Sequence, residues 1–254
     1  MNVLVCVKRV PITGGRIVLT ADEQAIDTRH LGFTISPHEE CGLEHAVRLV
    51  EQHGGNSTVL TLGPPEAEEQ LRDAMAVGVD RAILIASGDE EWDPQATAAA
   101  IVDVVRDEAA AGTVHDLIVF GNESADAGNH QVGIRVAHAL GRPCVTGLKG
   151  LSWDGGNLRC EQEVDDGRDV YSVPLPAVVT VREGLNLPRY PSVPGRLRAK
   201  RKPLDTRSPV RPQARLERLR LLLPADQGTT AELLGRGPEA APAVVDVLRR
   251  AGVI

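Results

Sequence analysis

The sequence predicts a three-layer α/β/α sandwich built on a mainly parallel sheet, with a C-terminal arm beyond it. Two observations carry that prediction. Short runs of branched apolar residues alternate with stretches whose apolar positions repeat at helical spacing, and strands that alternate with helices build a parallel sheet covered on both faces. After residue 143 the alternation stops and short strands follow one another directly, which reads as a hairpin region.

The first strand is Val3–Val7, a valine-rich run of the kind a strand buried on both faces requires. Residues 11–36 hold Pro11, Gly14, Gly15 and Gly32 around Ile17, Val18 and Leu19, and read as a long loop carrying a small hairpin. From Glu39 to His53, the residues Leu43, Ala46, Val47 and Val50 form one helical face, stopped by Gly54-Gly55. Thr58–Leu62 is the next strand, and Gly63-Pro64-Pro65 turns it into a second helix with proline in its first turn. Leu71, Ala74 and Met75 face inward on that helix and Gly78 ends it. Arg81–Ile85 is the third strand; Ala98, Ile101, Val102, Val105 and Ala109 mark the third helix. Asp116–Gly121 is the fourth strand and Val132–Leu140 the fourth helix. Beyond them, Cys144–Leu148, Leu158–Val164, Val170–Val173 and Ala177–Arg182 read as short strands, with a turn at Trp153–Asn157. Residues 183–215 are rich in Pro and Arg with little periodicity and read as an irregular exposed segment. The tail predicts short helices near Thr230–Leu234 and over Glu239–Ala251.

A chain of 254 residues with 42% hydrophobic residues suffices for one large α/β domain with an extension. A net charge of −7 and 2% aromatic residues argue against nucleic acid as a partner. Cys6, Cys41, Cys144 and Cys160 are widely spaced, as reduced thiols of a cytoplasmic protein are. No apolar run reaches the roughly 20 residues of a membrane span. The start MNVLVCVKRV lacks the basic region and small-residue cleavage site of a signal peptide, and reads as strand. The expected location is the cytoplasm.

No Gly-x-Gly-x-x-Gly follows the first strand, and there is no phosphate-loop lysine and no Gly-x-Ser-x-Gly elbow. Cys41 and His45 share a helix face, a spacing that suits either a metal or, as the ordinary explanation, a buried thiol beside a surface histidine. The most informative stretch is the loop Gly121–Gly133, which leaves the fourth strand at the binding edge and leads into a helix starting near Asn129. Helix N-termini offer unpaired N–H groups and partial positive charge, so a phosphate fits there without lysine. Gly128 and Gly133 permit close backbone approach, while Asp126, Asn129 and Gln131 suit a ribose or phosphate. An ordinary loop capped by Asn129 is the competing reading. Lys8 and Arg9, at the same edge, face phosphate or form a solvated strand end. Ser36 or its neighbours cap the first helix or contact ligand, with Glu39 and Glu40 in its first turn. The basic stretch Leu185–Pro203, with one tyrosine, suits an acidic partner surface or is simply solvated.

Four stretches, taken in order, resemble one family. They are Val5–Pro11 (VCVKRVP), Ser36–Ala46 (SPHEECGLEHA), Leu71–Arg81 (LRDAMAVGVDR), and Leu175–Val181 (LPAVVTV) followed by Asn186, Pro188–Tyr190 and Ala199–Pro203. With a helical tail ending in RAGVI, they resemble the electron transfer flavoprotein beta subunit. The resemblance implies a Rossmann-like, adenine nucleotide alpha hydrolase-like domain over residues 1–205. It also implies an extension, residues 206–254, that packs on an alpha subunit. In such a heterodimer the alpha subunit holds FAD, and the beta subunit binds AMP and is not catalytic alone. Electrons pass from flavin dehydrogenases to a quinone oxidoreductase or other acceptor. The implied cofactor positions are Cys6, Ser36, Pro37, His38, Glu39, Leu62, Asp126, Asn129, His130, Gln131, Val132 and Gly133, joined by Lys8. The implied partner-recognition loop is 185–198, with Pro188, Arg189, Tyr190, Val193 and Arg198 at the docking face.

Several positions depart from the family's pattern. Ser36 replaces an asparagine, His38-Glu39 replaces an aromatic followed by cysteine or aspartate, Ile12 stands where electron-bifurcating members have aspartate, and Leu187 stands where a glutamate often precedes Pro188. Arg198 and Arg201 keep the charge of the family's lysines but change its geometry. A second FAD in place of AMP therefore stays open, as does a stand-alone adenine-nucleotide-binding module.

Overall fold

Val3, Leu4, Val5 and Cys6 are all buried, because β1 (Asn2–Cys6) lies inside a nine-stranded sheet with helices on both faces. The computed structural model describes residues 1–14, 17–88, 91–224 and 232–254. After β1, β2 (Val10–Pro11) pairs antiparallel with β3 (Phe33–Thr34), and Leu19 bridges Ile26 within the loop they close. This is the expected small hairpin; Gly15 of that loop lies outside the described residues.

Helix α1 (Pro37–His53), β4 (Asn56–Gly63), α2 (Glu68–Val77), β5 (Arg81–Ala86), α3 (Pro94–Ala110), β6 (Leu117–Gly121) and α4 (Val132–Leu140) follow in the alternation the sequence predicts. β7 (Cys144–Trp153), β8 (Leu158–Val164) and β9 (Gly167–Val173) form an antiparallel meander, and β10 (Ala177–Val181) returns to the parallel part. Two further elements lie where the sequence reads as irregular: α5 (Val193–Ala199) and β11 (Leu204–Arg207). α6 (Ala241–Arg250) closes the chain after a short 3₁₀ turn. Of the helix expected near Thr230–Leu234, residues 230–231 lie outside the described residues, and 232–234 form no regular element.

The strand order is β11-β5-β4-β1-β6-β10-β7-β8-β9, parallel from β11 through β7. Alternate residues of each strand feed opposite faces. Val3, Val5 and Val7 join Leu43 and Val47 of α1 and Leu71 and Met75 of α2 in one core, which also takes in Ala199 of α5. Leu4 and Cys6 join Ile101 and Val105 of α3 and Val136 of α4 in the other. Each fully buried Val, Leu or Ile contributes about 1.5–3 kcal/mol, so the continuous apolar runs fix both layers at once.

The chain leaves β10 and re-enters the sheet at the far edge as β11, paired with β5. Residues 182–203 therefore cross the α1/α2 layer. Arg189 grips Glu44 (2.8 Å) and Glu51 (2.7 Å) of α1, and α5 packs on α2. Gly195 permits that packing: a Cβ there would stand 2.4 Å from the Ala76 carbonyl oxygen.

Candidate functional site

β4 lies on one side of β1 and β6 on the other, so the connections after β1 and β6 leave in opposite directions. Open parallel sheets bind ligands at such a switch point, beyond the carboxyl ends of the strands. A cavity of about 610 Å³ opens there, within the range of small-molecule and cofactor sites.

Of the positions the sequence singles out, Cys6, Lys8, Leu62, Asp126, Asn129, His130, Gln131, Val132 and Gly133 line this cavity. Cys6 is buried, and desolvation, with the nearby Glu39 charge, pushes its thiol far above the ordinary value. It is a wall, not a nucleophile. Lys8 Nζ spans the crevice, donating to Asp126 Oδ2 (2.7 Å) and Glu91 Oε1 (3.2 Å). Burial opposes ionisation of Asp126, but Lys8 beside it holds the carboxyl below its usual range.

The loop before α4 is built by its own side chains. Thr180 Oγ1 takes the Gly147 amide (2.9 Å) and donates to Asn122 Oδ1 (3.0 Å). Asn122 Nδ2 meets His130 Nδ1 (3.3 Å), and His130 Nε2 meets Glu123 Oε2 (2.6 Å). His130 sits at φ 54°, a left-handed conformation that a side chain pays for in strain. That backbone breaks the helix before it starts. The sequence places the helix start and cap near Asn129; the structure corrects this to Val132, with Gln131 at the cap position making no side-chain cap bond. The first amides of α4 thus have no side-chain cap, while Gln131, Val132 and Gly133 line the cavity. Gly133 lets α4 lie close: a Cβ there would meet Phe120 and Thr180 at 3.1 Å.

Ser36, Pro37, His38 and Glu39 do not line the cavity. Ser36 and Glu39 form a capping box at the start of α1. The Glu39 carboxylate accepts the Ser36 amide (2.8 Å) and, across the crevice wall, the Lys8 amide (2.9 Å). Burial pushes the Glu39 carboxyl up to about 8, against the lowering effect of those hydrogen bonds. Pro37 occupies the first turn of α1 and is exposed. His38 Nδ1 accepts the Glu183 amide (2.7 Å), and Nε2 lies 3.5 Å from Glu123 Oε1. These residues hold the loops that line the crevice.

Sequence reading misses Phe33, Trp92, Arg218 and Leu221, all in the cavity wall. Trp92, one of two tryptophans in the chain, is buried and donates Nε1–H to the Ser87 carbonyl (3.2 Å); its rarity is the signal that could have found it. Among the expected docking residues, Tyr190 (95% exposed) and Val193 (73%) stand free, and Arg198 is exposed on α5. Pro188 is half-buried, and Arg189 is committed to α1. Cys41 Sγ faces the Asn186 carbonyl (3.5 Å), and burial lowers the His45 imidazole to about 4. No helix among the described residues is long and apolar enough to cross a membrane.

The family model described as "Electron transfer flavoprotein domain" matches residues 25–211. The chain is 37% identical over 207 residues to the electron transfer flavoprotein subunit beta of Bacillus subtilis, covering 81% of this chain and 78% of that protein. The chain belongs to the electron transfer flavoprotein beta-subunit family. The subunits beta of Syntrophomonas wolfei (34% over 225 residues, 88% of this chain and 86% of the relative) and Bradyrhizobium diazoefficiens (34% over 233 residues, 89% and 90%) agree. Membership implies electron transfer, a flavin and an alpha-subunit partner. In this family member the matched region runs from the loop between β2 and β3 to just past β11, so it takes in the start of α4 and the α5 segment.

Proposed function

We propose that this chain is the beta subunit of a heterodimeric electron transfer flavoprotein and binds AMP in its crevice. The alpha subunit holds the FAD that carries electrons from flavin dehydrogenases to a quinone oxidoreductase or another acceptor. The observation that carries the reading is the uncapped start of α4 opening into a cavity of about 610 Å³ at the β1/β6 switch point. A helix start without a cap offers amides and partial positive charge to a phosphate.

The residues present fit an adenine nucleotide. The amides from Val132 on take the phosphate, Lys8 supplies a cation beside it, and Asp126 and Asn129 offer polar groups to the ribose. Cys6 and Leu62 give the apolar wall that a base needs. Ser36–Glu39 act one layer out, by fixing Lys8 and the Glu123 loop. The bound nucleotide is structural: it stabilises the folded subunit by mass action. The cavity continues to Trp92 and Pro94, which supports a second FAD in place of AMP as the other reading. Pro188, Tyr190, Val193 and Arg198 form the docking face, with Arg189 holding it on α1, and the end of the extension, including α6, packs on the alpha subunit.

The test is extraction of nucleotide from the purified alpha–beta complex. One FAD and one AMP per heterodimer is the expected result. Two FAD and no AMP selects the second reading, and a complex with no nucleotide overturns both.

A further inference from the structure

The C-terminal extension does not simply leave the domain. Residues 211–221, which contain no helix or strand, run across the mouth of the crevice and are tied down on both sides. On the α3 side, Asp93 Oδ2 accepts the Arg215 amide (2.7 Å), and the Arg211 guanidinium donates to the Glu91 carbonyl (3.1 Å). On the β2–β3 loop side, the Leu221 amide donates to the Glu23 carbonyl (2.8 Å), and Gln24 Nε2 donates to the Leu219 carbonyl (2.7 Å). Arg218 joins the two sides, one guanidinium nitrogen on the Gln24 carbonyl (2.8 Å) and another on Glu91 Oε2 (2.5 Å). The other oxygen of Glu91 accepts from Lys8, so one carboxylate links the crevice cation to the crossing segment. Arg218 and Leu221 line the cavity, whereas Leu216, Leu219, Leu222 and Leu223 are exposed.

We propose that residues 211–221 are a latch that completes the nucleotide site of their own subunit and governs how fast nucleotide enters and leaves. The proposal rests on the nucleotide-binding reading given above. Its contacts are suited to opening. The fastenings are hydrogen bonds and ion pairs at the surface, individually weak, and of the two latch side chains that line the crevice, Arg218 and Leu221, one is apolar. An anionic ligand beside Lys8 competes with Glu91 for that ammonium. Glu91 then turns wholly to Arg218, so binding strengthens the closure over the ligand. Arg218 is a positioning residue in this scheme, acting through Glu91 and Lys8.

The backbones of Glu23 and Leu221 are close enough for a disulfide. In the alpha–beta complex, the pair Glu23→Cys with Leu221→Cys is loaded with labelled AMP, or with FAD if that is what the native complex carries. Release is timed by dilution into unlabelled nucleotide. Oxidation should slow release at least tenfold, and reductant should restore it. Arg218→Ala should speed release at least threefold with an unchanged circular dichroism spectrum. The Leu221 amide should exchange its hydrogen more slowly in the loaded complex than in the empty one. Equal release rates in the oxidised and reduced forms of a complex that does hold nucleotide would overturn the latch and leave the nucleotide site standing. A cysteine pair that fails to oxidise, together with a Leu221 amide that exchanges equally fast in the loaded and empty complexes, overturns it too, because the crossing contact is then absent. A native complex that holds no AMP and no more than one FAD per heterodimer overturns the site and the latch together.

Discussion

The two helix starts that flank the crevice are finished in opposite ways. α1 opens with a reciprocal box in which Ser36 and Glu39 satisfy each other's amides, and Glu39 takes the Lys8 amide as well. α4 opens after a left-handed His130 with no side-chain cap. A closed start adds stability and offers nothing to a ligand. An open start forgoes about 1 kcal/mol of capping energy and keeps its amides available. Both starts were candidate ligand contacts from sequence; the geometry assigns one to the framework and the other to the cavity.

The largest test of that division is Glu39→Ala. It leaves the buried Ser36 amide and the part-buried Lys8 amide without their acceptor, and should cost about 2–6 kcal/mol in urea unfolding, from about 1–3 kcal/mol for each unsatisfied group. An unchanged midpoint would mean the box is not what holds α1. The same carboxyl makes stability pH-dependent. Its folded-state value, about 8, lies above its ordinary value of 4.5, so the folded chain holds the proton more tightly than the unfolded chain. The contribution is complete below pH 4.5 and is lost as pH rises through about 8. Unfolding followed from pH 5 to pH 8 should show that decline, and Glu39→Gln should flatten it. A parallel decline in the variant assigns it to another group.

Gln131→Asp probes the other end. An aspartate cap would satisfy the first amides of α4, raising stability by about 1 kcal/mol. It should also weaken AMP binding about tenfold, since cap and phosphate compete for the same amides. Unaltered affinity by calorimetry would remove the α4 start from the site. The smallest effect belongs to Ser36→Ala, about 1 kcal/mol of stability with AMP affinity retained; a large affinity loss would return Ser36 to the ligand shell.

The parallel half of the fold was legible because strands buried on both faces must be apolar throughout. β1, β4, β5 and β6 therefore stand within about two residues of the runs that predict them. α5 and β11 were missed for different reasons. Ser192 accepts the Gly195 amide (3.1 Å) and Pro194 follows in the first turn, a readable helix start hidden among prolines that suggested a loop. β11 has four residues, and its partner β5 lies nearly half the chain away, so no local pattern marks it. The α4 start was misplaced because Asn129 looks like a cap, while the positive φ of His130 leaves no trace in composition. Arg218 and Leu221 reach the crevice through a tertiary crossing that no motif records.

The belt from β10 to β11 bears on the order of assembly. Closing a long loop costs entropy before any contact repays it, so pairing of β11 with β5 belongs late in folding. Tyr190 and Val193 ride on that belt and acquire their place over α1 and α2 only when it is fastened. On the proposed docking, an unfinished chain would offer its partner no such face, and only subunits whose sheet is complete would engage.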